Sequence, residues 1–210
     1  MRYFSLLCVL CLLLTTGASA AKSPVVVVDP GHDQYANLQT EQIGPGSTRL
    51  KIKDGGGTSG VVTRLPEARL NLRVGLRVRS LLERAGLRVV MTRTATAGKS
   101  IGNIARARIA NDAHAALFLR IHADGSQSPA TRGTHTLYPA FHRGWTDDIY
   151  GASRRAARLV QAEEVRALGF PDAGLQERAD YTGFNWSNVP AILVEMGFMT
   201  NPTEDRLLAS

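Results

Sequence analysis

The 210-residue sequence contains only two cysteines, Cys8 and Cys11, and both lie near its amino terminus. Their C-x-x-C spacing is one that redox and zinc pairs use. Here the pair falls inside an apolar segment that we expect to be removed, so we favour no such role. We therefore expect a mature chain without disulfides, which an ordinary hydrophobic core has to stabilise.

Aromatic residues are also scarce, at 6% of the sequence, although the formal net charge is +7. The lysines and arginines are spread along the chain instead of forming one block. Because proteins that bind single strands combine clustered positive charge with aromatic stacking platforms, we expect no nucleic acid partner. The positive charge is compatible with an anionic surface such as a cell wall, or with an ordinary solvated basic face.

Long apolar runs are absent except at the amino terminus. There Arg2 precedes a leucine-rich segment, residues 3–14, that is too short to cross a bilayer comfortably. The small residues 18–20 follow it. This pattern predicts a signal peptide at residues 1–20 and a single domain at residues 21–210, with no stable membrane insertion after cleavage. The alternatives are a retained anchor or a lipoprotein signal, and the position of the cysteines inside the apolar run argues against the latter.

The stretch from residue 24 to residue 32 combines a buried strand with a polar turn. Four consecutive valines, residues 25–28, are typical of a strand covered on both faces. Pro30 and Gly31 then favour a sharp turn. Asp29 and His32 are therefore predicted to lie beyond the carboxyl end of the strand, where open α/β sheets place their ligands. A histidine there can bind a metal, act as a base or stabilise a turn.

The rest of the chain alternates helical and strand patterns. Helices are predicted with Pro66 at a first helical position, with Ser100 as a cap, and with Asn201 as a cap. Residues 33–63, rich in Gly, Thr and Ser, predict a long loop near the site. The order predicts an α/β fold, a single domain with a twisted, mostly parallel sheet flanked by helices on both faces. The predicted helices cover residues 66–85, 100–113, 147–168 and a segment after 201, and the further strands cover 87–92, 115–121, 134–138 and 191–194.

Three more chemically active residues stand out. Glu67 begins the apolar stripe of the first helix and is expected to point inward, although a carboxylate in a first turn can serve only the helix dipole. His122 follows the strand at residues 115–121. Glu195 stands among apolar strand residues, where a carboxylate is costly to bury unless it has a partner. For Glu195 the alternatives are a buried salt bridge and an outward-pointing side chain on an edge strand.

Together with His32, these residues supply two imidazoles and two carboxylates. Two imidazoles and one carboxylate are a ligand set of catalytic zinc sites, and a further carboxylate can act as general base in amide or ester hydrolysis. Spacing alone does not separate this set from other histidines. For those we favour positions on the surface or beside the site, and they are His114, His135 and His142.

Five motifs resemble the zinc-dependent N-acetylmuramoyl-L-alanine amidases of the type called amidase type 3. They cover nearly all of the predicted mature chain in the expected order. The resemblance implies metal ligands at His32, Glu67 and His122 and a catalytic glutamate at Glu195. It also implies a twisted sheet flanked by helices. The motifs are Val28-Asp29-Pro30-Gly31-His32, Glu67 with Leu70-Asn71-Leu72, residues 106–111, Arg120-Ile121-His122-Ala123-Asp124-Gly125 and residues 188–201.

The resemblance implies zinc-dependent cleavage of the amide bond between N-acetylmuramic acid and L-alanine in peptidoglycan. We accordingly expect a secreted autolysin of the cell wall or periplasm, with zinc as cofactor, peptidoglycan as partner and a monomeric state. One alternative is a zinc peptidase that cuts within the stem peptide. The other is a non-catalytic wall-binding protein on the same fold, which the presence of all four chemically active residues argues against.

Overall fold

The computed structural model describes residues 23–210. The predicted signal peptide, with Cys8 and Cys11, lies outside the described residues. Across the described part of the chain, no helix is both long and apolar enough to cross a membrane.

Residues 23–210 form eight strands and five helices. The strands are β1 (Val25–Pro30), β2 (Asn37–Gln42), β3 (Leu50–Asp54), β4 (Arg88–Met91), β5 (Leu117–Asp124), β6 (Thr134–Pro139), β7 (Asp172–Arg178) and β8 (Ala191–Phe198). The helices are α1 (Glu67–Arg84), α2 (Asn103–Asp112), α3 (Tyr150–Leu168), α4 (Thr182–Asn185) and α5 (Pro202–Ala209).

Six strands form one sheet in the order β4-β1-β5-β8-β6-β7, and β2 pairs with β3 in a separate antiparallel hairpin. Every pairing in the large sheet is parallel except that between β6 and β8. The fold is therefore an α/β domain with a mostly parallel sheet, as predicted. The parallel arrangement aligns the carboxyl ends of β1, β5 and β8 at one edge of the sheet.

Helices cover both faces of this sheet, and the valines of β1 show why. Val26 and Val28 are buried in a cluster that includes Leu70 of α1. Val25 and Val27 point the other way, into a cluster that includes Ala107 of α2. A strand buried on both faces needs apolar residues at every position, which explains the unbroken valine run.

The predicted loop at residues 33–63 contains the β2–β3 hairpin, so the prediction of a structureless loop was wrong there. In this hairpin apolar side chains are exposed and polar side chains are buried. Leu50 and Ile52 face solvent, whereas Glu41 and Asp54 are buried against the domain. Since sequence patterns identify strands by their buried apolar face, this ribbon gives no such signal.

Several element boundaries also differ from the prediction. Ser100 does not cap α2, which begins at Asn103 with Gly102 before it; Ser100 is instead buried and accepts a hydrogen bond from Arg106. Pro66 precedes α1 as its N-cap residue. Strands β5 and β8 continue through His122 and Glu195 because these two residues are paired in the ladder. The cap at Asn201 is confirmed, since its side chain accepts from the N–H groups of residues 203 and 204.

Candidate active site

The ladder across β5, β8 and β6 places one polar residue of each strand side by side, near the carboxyl ends of β5 and β8 and the amino end of the antiparallel β6. Glu195 on β8 is the register partner of His122 on β5 and of His135 on β6. Leu193, two residues before Glu195, packs in the cluster that includes α2. Because side chains alternate along a strand, Glu195 lies on that same face of the sheet.

His32, Glu67 and His122 come together at this edge. One ligand atom from each lies within 4.8 Å of the others. Oε1 of Glu67 is 3.2 Å from Nε2 of His32 and 3.1 Å from Nδ1 of His122. Ligands of a tetrahedral zinc ion, bound at about 2.0–2.1 Å, lie about 3.3 Å apart, and both contacts of Glu67 are close to this separation. The donor set, two imidazole nitrogens and one carboxylate oxygen, fits zinc as well.

Asp54 fixes His32 from the other side of its ring. Nδ1 of His32 lies 2.5 Å from Oδ1 of Asp54. Burial alone lowers the pKa of His32, but the bonds to Asp54 and Glu67 outweigh it and raise this pKa to about 9. Burial likewise opposes the ionised form of Asp54, and its bond to His32 nevertheless lowers the Asp54 pKa to about 2. The two carboxylates thus make the centre favourable for positive charge.

A buried ion-pair network holds the turn that carries His32. Asp29 lies between Arg106, at 2.5 Å, and Arg120, at 2.8 Å. Burial alone raises the pKa of Asp29, but the two guanidinium groups hold it well below its usual range. Arg106 also donates to the carbonyls of Pro30 and His32. Asp29 is therefore a turn-holding residue rather than a member of the ligand cluster.

This support matters because His32 adopts a left-handed backbone conformation, with φ 59°. A non-glycine residue in this region costs about 1–3 kcal/mol and persists only where its surroundings impose it. Arg93 contributes by donating to the carbonyls of Pro30, Gly31 and Ala68. The adjacent Gly31 lies so close to His122 that a Cβ atom there would overlap the imidazole ring.

Glu67 is the first residue of α1 and is buried, as predicted. Its carboxylate accepts from Asn71 at 3.0 Å and from the N–H of Thr58 at 2.9 Å. Burial opposes ionisation of Glu67, but its contacts with His122 and His32 lower the pKa well below its usual range. The group is therefore ionised and ready to bind a cation at neutral pH.

Glu195 lies in a different environment. Its Oε2 is buried without a hydrogen-bond partner in the described residues. Burial, followed by the negative charges of Glu67, Asp124 and Glu164, raises the pKa of Glu195 well above its usual range. The side chain lines a cleft of about 620 Å³ together with His32, Glu67 and His122. A carboxyl group of raised pKa beside a cation site is suited to accept and return a proton.

The remaining three histidines lie outside the cluster of His32, Glu67 and His122. His114 and His142 are exposed, and the ring of His142 stacks on Trp145. Both agree with the surface positions that the sequence favoured. His135 is buried on β6 beside Glu195, with Nε2 3.6 Å from Oδ2 of Asp124.

Sequence reasoning missed Asp54 because it lies in the presumed loop. Two signals were available: an aspartate immediately before Gly55-Gly56-Gly57, and its place between two predicted ligands. The structure shows why the glycines follow it. The Gly56 N–H donates to Asp54, and a Cβ at Gly57 would crowd both Glu67 and His32.

The fold and the site define an α/β enzyme with a candidate metal centre for hydrolysis at the carboxyl edge of its sheet. The family profile of the N-acetylmuramoyl-L-alanine amidases, Amidase_3, matches residues 26–210. The chain therefore belongs to this family and is an amidase of peptidoglycan.

Relatives from several bacteria support this assignment. An N-acetylmuramoyl-L-alanine amidase of Mycobacterium tuberculosis is 31% identical over 193 residues, covering 89% of this chain and 78% of that protein. The amidase LytC of Bacillus subtilis is 30% identical over 196 residues, covering 90% of this chain but only 33% of LytC. The crystal structure of the amidase Ami1 from Mycobacterium smegmatis superimposes with a TM-score of 0.79 at 29% identity, covering 91% of this chain and 90% of that one.

Proposed function

We propose that this chain is a zinc-dependent amidase that hydrolyses the bond between N-acetylmuramic acid and the L-alanine of the stem peptide. The observation that carries the proposal is the convergence of His32, Glu67 and His122 on one point, with Glu195 beside them in the same cleft. The family supplies the reaction class, and the donor set favours zinc.

The four residues have two roles, metal binding and proton transfer. His32, Glu67 and His122 would hold the zinc ion, which supplies a Lewis acid that polarises the carbonyl and favours deprotonation of water. Glu195 would accept the proton from the attacking water and deliver it to the leaving amine. The C–N bond breaks, the lactyl group of muramic acid becomes a carboxylate, and L-alanine gains a free amino terminus.

The identity of the products tests this proposal. Purified peptidoglycan is digested with the protein, and the soluble products are examined by mass spectrometry. We expect stem peptides that begin with a free L-alanine amine, together with intact muramic acid. Peptides that lack L-alanine, with L-alanine left on muramic acid, would instead indicate a peptidase acting within the stem. Zinc binding without any hydrolysis would indicate a non-catalytic wall-binding protein.

We further propose that residues 1–20 are a signal peptide and that the mature domain begins at residue 21 and acts in the cell wall or periplasm. The charged, apolar and small-residue segments of the amino terminus support this, as does the family's cell-wall substrate. Amino-terminal sequencing of the exported protein is expected to begin at Ala21. Light scattering of the purified mature protein is expected to give the mass of a monomer.

A further inference from the structure

His135 and Glu195 face each other across the antiparallel pairing of β6 and β8. Side chains at directly opposed positions lie on the same face of a sheet, with Cβ atoms about 4.5–5.5 Å apart. Both residues are buried, at 4% and 9% exposure. Nδ1 of His135 and Oε2 of Glu195 are both buried polar atoms without a partner in residues 23–210.

Two unsatisfied polar atoms on neighbouring buried side chains are unusual. Each has lost its water without gaining a hydrogen bond, which destabilises the folded state. An imidazole N–H and a carboxylate oxygen are complementary, and these two side chains are directly opposed across the strand pair. Native structures retain such groups mainly where they serve a function.

The surroundings of His135 leave Nδ1 available for this contact. Nε2 faces Asp124, with Oδ2 at 3.6 Å, and the ring lies against Phe198 at a centroid distance of 5.8 Å. No other partner for Nδ1 is present in the described part of the chain. The ring therefore has one nitrogen toward Asp124 and the other free.

The surroundings of Glu195 make an extra hydrogen-bond donor valuable. On one side its register partner is the proposed metal ligand His122, and on the other it is His135. The charged groups that act on Glu195 are Glu67, Asp124 and Glu164, which disfavour its ionised form, and Arg120, which favours it. Arg120 is already bound to Asp29 and Asn103. A donor on the His135 side would orient the carboxylate without adding a ligand to the metal centre.

We propose that His135 is a positioning residue for Glu195, donating from Nδ1 to the Glu195 carboxylate so that the carboxylate is aimed at the attacking water. This inference rests on the proposed function, because it takes Glu195 as the general base. His135 is not among the residues that line the cleft, so we place it outside the substrate contacts. It contributes through the orientation of Glu195, so its effect belongs in kcat rather than in KM or in zinc affinity.

Three substitutions separate this role from simple packing. His135→Asn retains an amide near the position of Nδ1, His135→Gln retains one near Nε2, and His135→Leu retains neither. Hydrolysis of soluble muropeptides is measured for each variant, together with zinc content and Tm. We expect one zinc per chain and unchanged KM throughout. We expect kcat to fall by up to about 100-fold in His135→Leu and His135→Gln, and by clearly less in His135→Asn.

Two results would overturn the inference. One is wild-type kcat in His135→Leu. The other is better activity in His135→Gln than in His135→Asn, which would indicate that the contact with Asp124, or packing, is what matters. If His135→Leu is too unstable to assay, the comparison of the Asn and Gln variants still decides. Absence of muropeptide hydrolysis by the zinc-loaded wild-type protein would instead refute the proposed function, so the two failures are distinguishable.

Discussion

Asp54 accepts a hydrogen bond from Nδ1 of His32 at 2.5 Å, and this bond joins the β2–β3 hairpin to the candidate metal centre. With its Nδ1 proton held by Asp54, His32 would offer Nε2, which faces Glu67, to a bound metal. A carboxylate behind a ligating imidazole fixes both the tautomer and the ring orientation.

Asp54→Asn is therefore expected to weaken zinc binding by about 10- to 100-fold while leaving the fold intact. The reason is that the amide is a poorer partner for the imidazole N–H and no longer offsets positive charge at the centre. Competition with a chromogenic chelator measures the affinity, and Tm reports on the fold. Asp148→Asn, at an exposed aspartate, is the matched control. Equal zinc affinities in the two variants would contradict this role for Asp54.

Asp29→Asn is expected to destabilise the protein strongly. The change leaves Arg106 and Arg120 buried without their shared carboxylate, and breaking a buried ion pair in this way costs about 3–5 kcal/mol. Denaturant unfolding measures the loss. Glu83→Gln provides the comparison, because it removes the exposed pair between Arg79 and Glu83 and is expected to cost at most about 1 kcal/mol. Similar losses in the two variants would refute the assignment of Asp29 as the residue that holds the His32 turn.

Glu164→Gln is expected to change how stability depends on pH. Burial raises the pKa of Glu164 to about 8 from its ordinary value of 4.5. Between these values the folded protein retains a proton that the unfolded chain releases, so folding stability falls as pH rises through this window, by at most about 1.4 kcal/mol per pH unit. Glutamine keeps an acceptor for the Thr134 hydroxyl but does not titrate.

The wild-type protein and Glu164→Gln are thus expected to differ little near pH 4, and the variant is expected to be the more stable one near pH 9. Urea unfolding at a series of pH values gives the two curves, and the exposed Glu83→Gln serves as control. Curves that remain parallel from acid to alkaline pH would show that Glu164 titrates normally in the folded state.

The sequence predicted the strands and helices that have a buried apolar face or a clear capping residue. The valines of β1 identify a strand covered on both faces, and Asn201 identifies the start of α5. Sequence reasoning missed the β2–β3 hairpin, β7 and the short helix α4. Every side chain of β7 is exposed or half-buried. Gly174, with φ 84°, also gives the β7 segment the sequence pattern of a turn. Apolar periodicity carries no information where a strand has no buried apolar face.

The sequence likewise indicates some residues of the site and not others. The sequence singles out His32, Glu67, His122 and Glu195 because reactive side chains stand at strand ends, at a helix start or in an apolar strand, and because the motifs resemble a known family. The structure brings the four to one cleft, and their roles stay predictions. Asp54 and Arg93 were not identified, because their roles depend on tertiary contacts across 22 and 62 residues of sequence. Such contacts leave no periodic pattern in the chain.

Glu195→Gln tests most directly whether Glu195 acts as the general base while the three other residues bind the metal. The variant is loaded with zinc, its metal content is measured by mass spectrometry, and its release of stem peptides from peptidoglycan is compared with that of wild type. We expect one zinc per chain and a loss of activity of at least about 100-fold, as for removal of a general base. Near-normal release of stem peptides by the zinc-loaded variant would contradict the account.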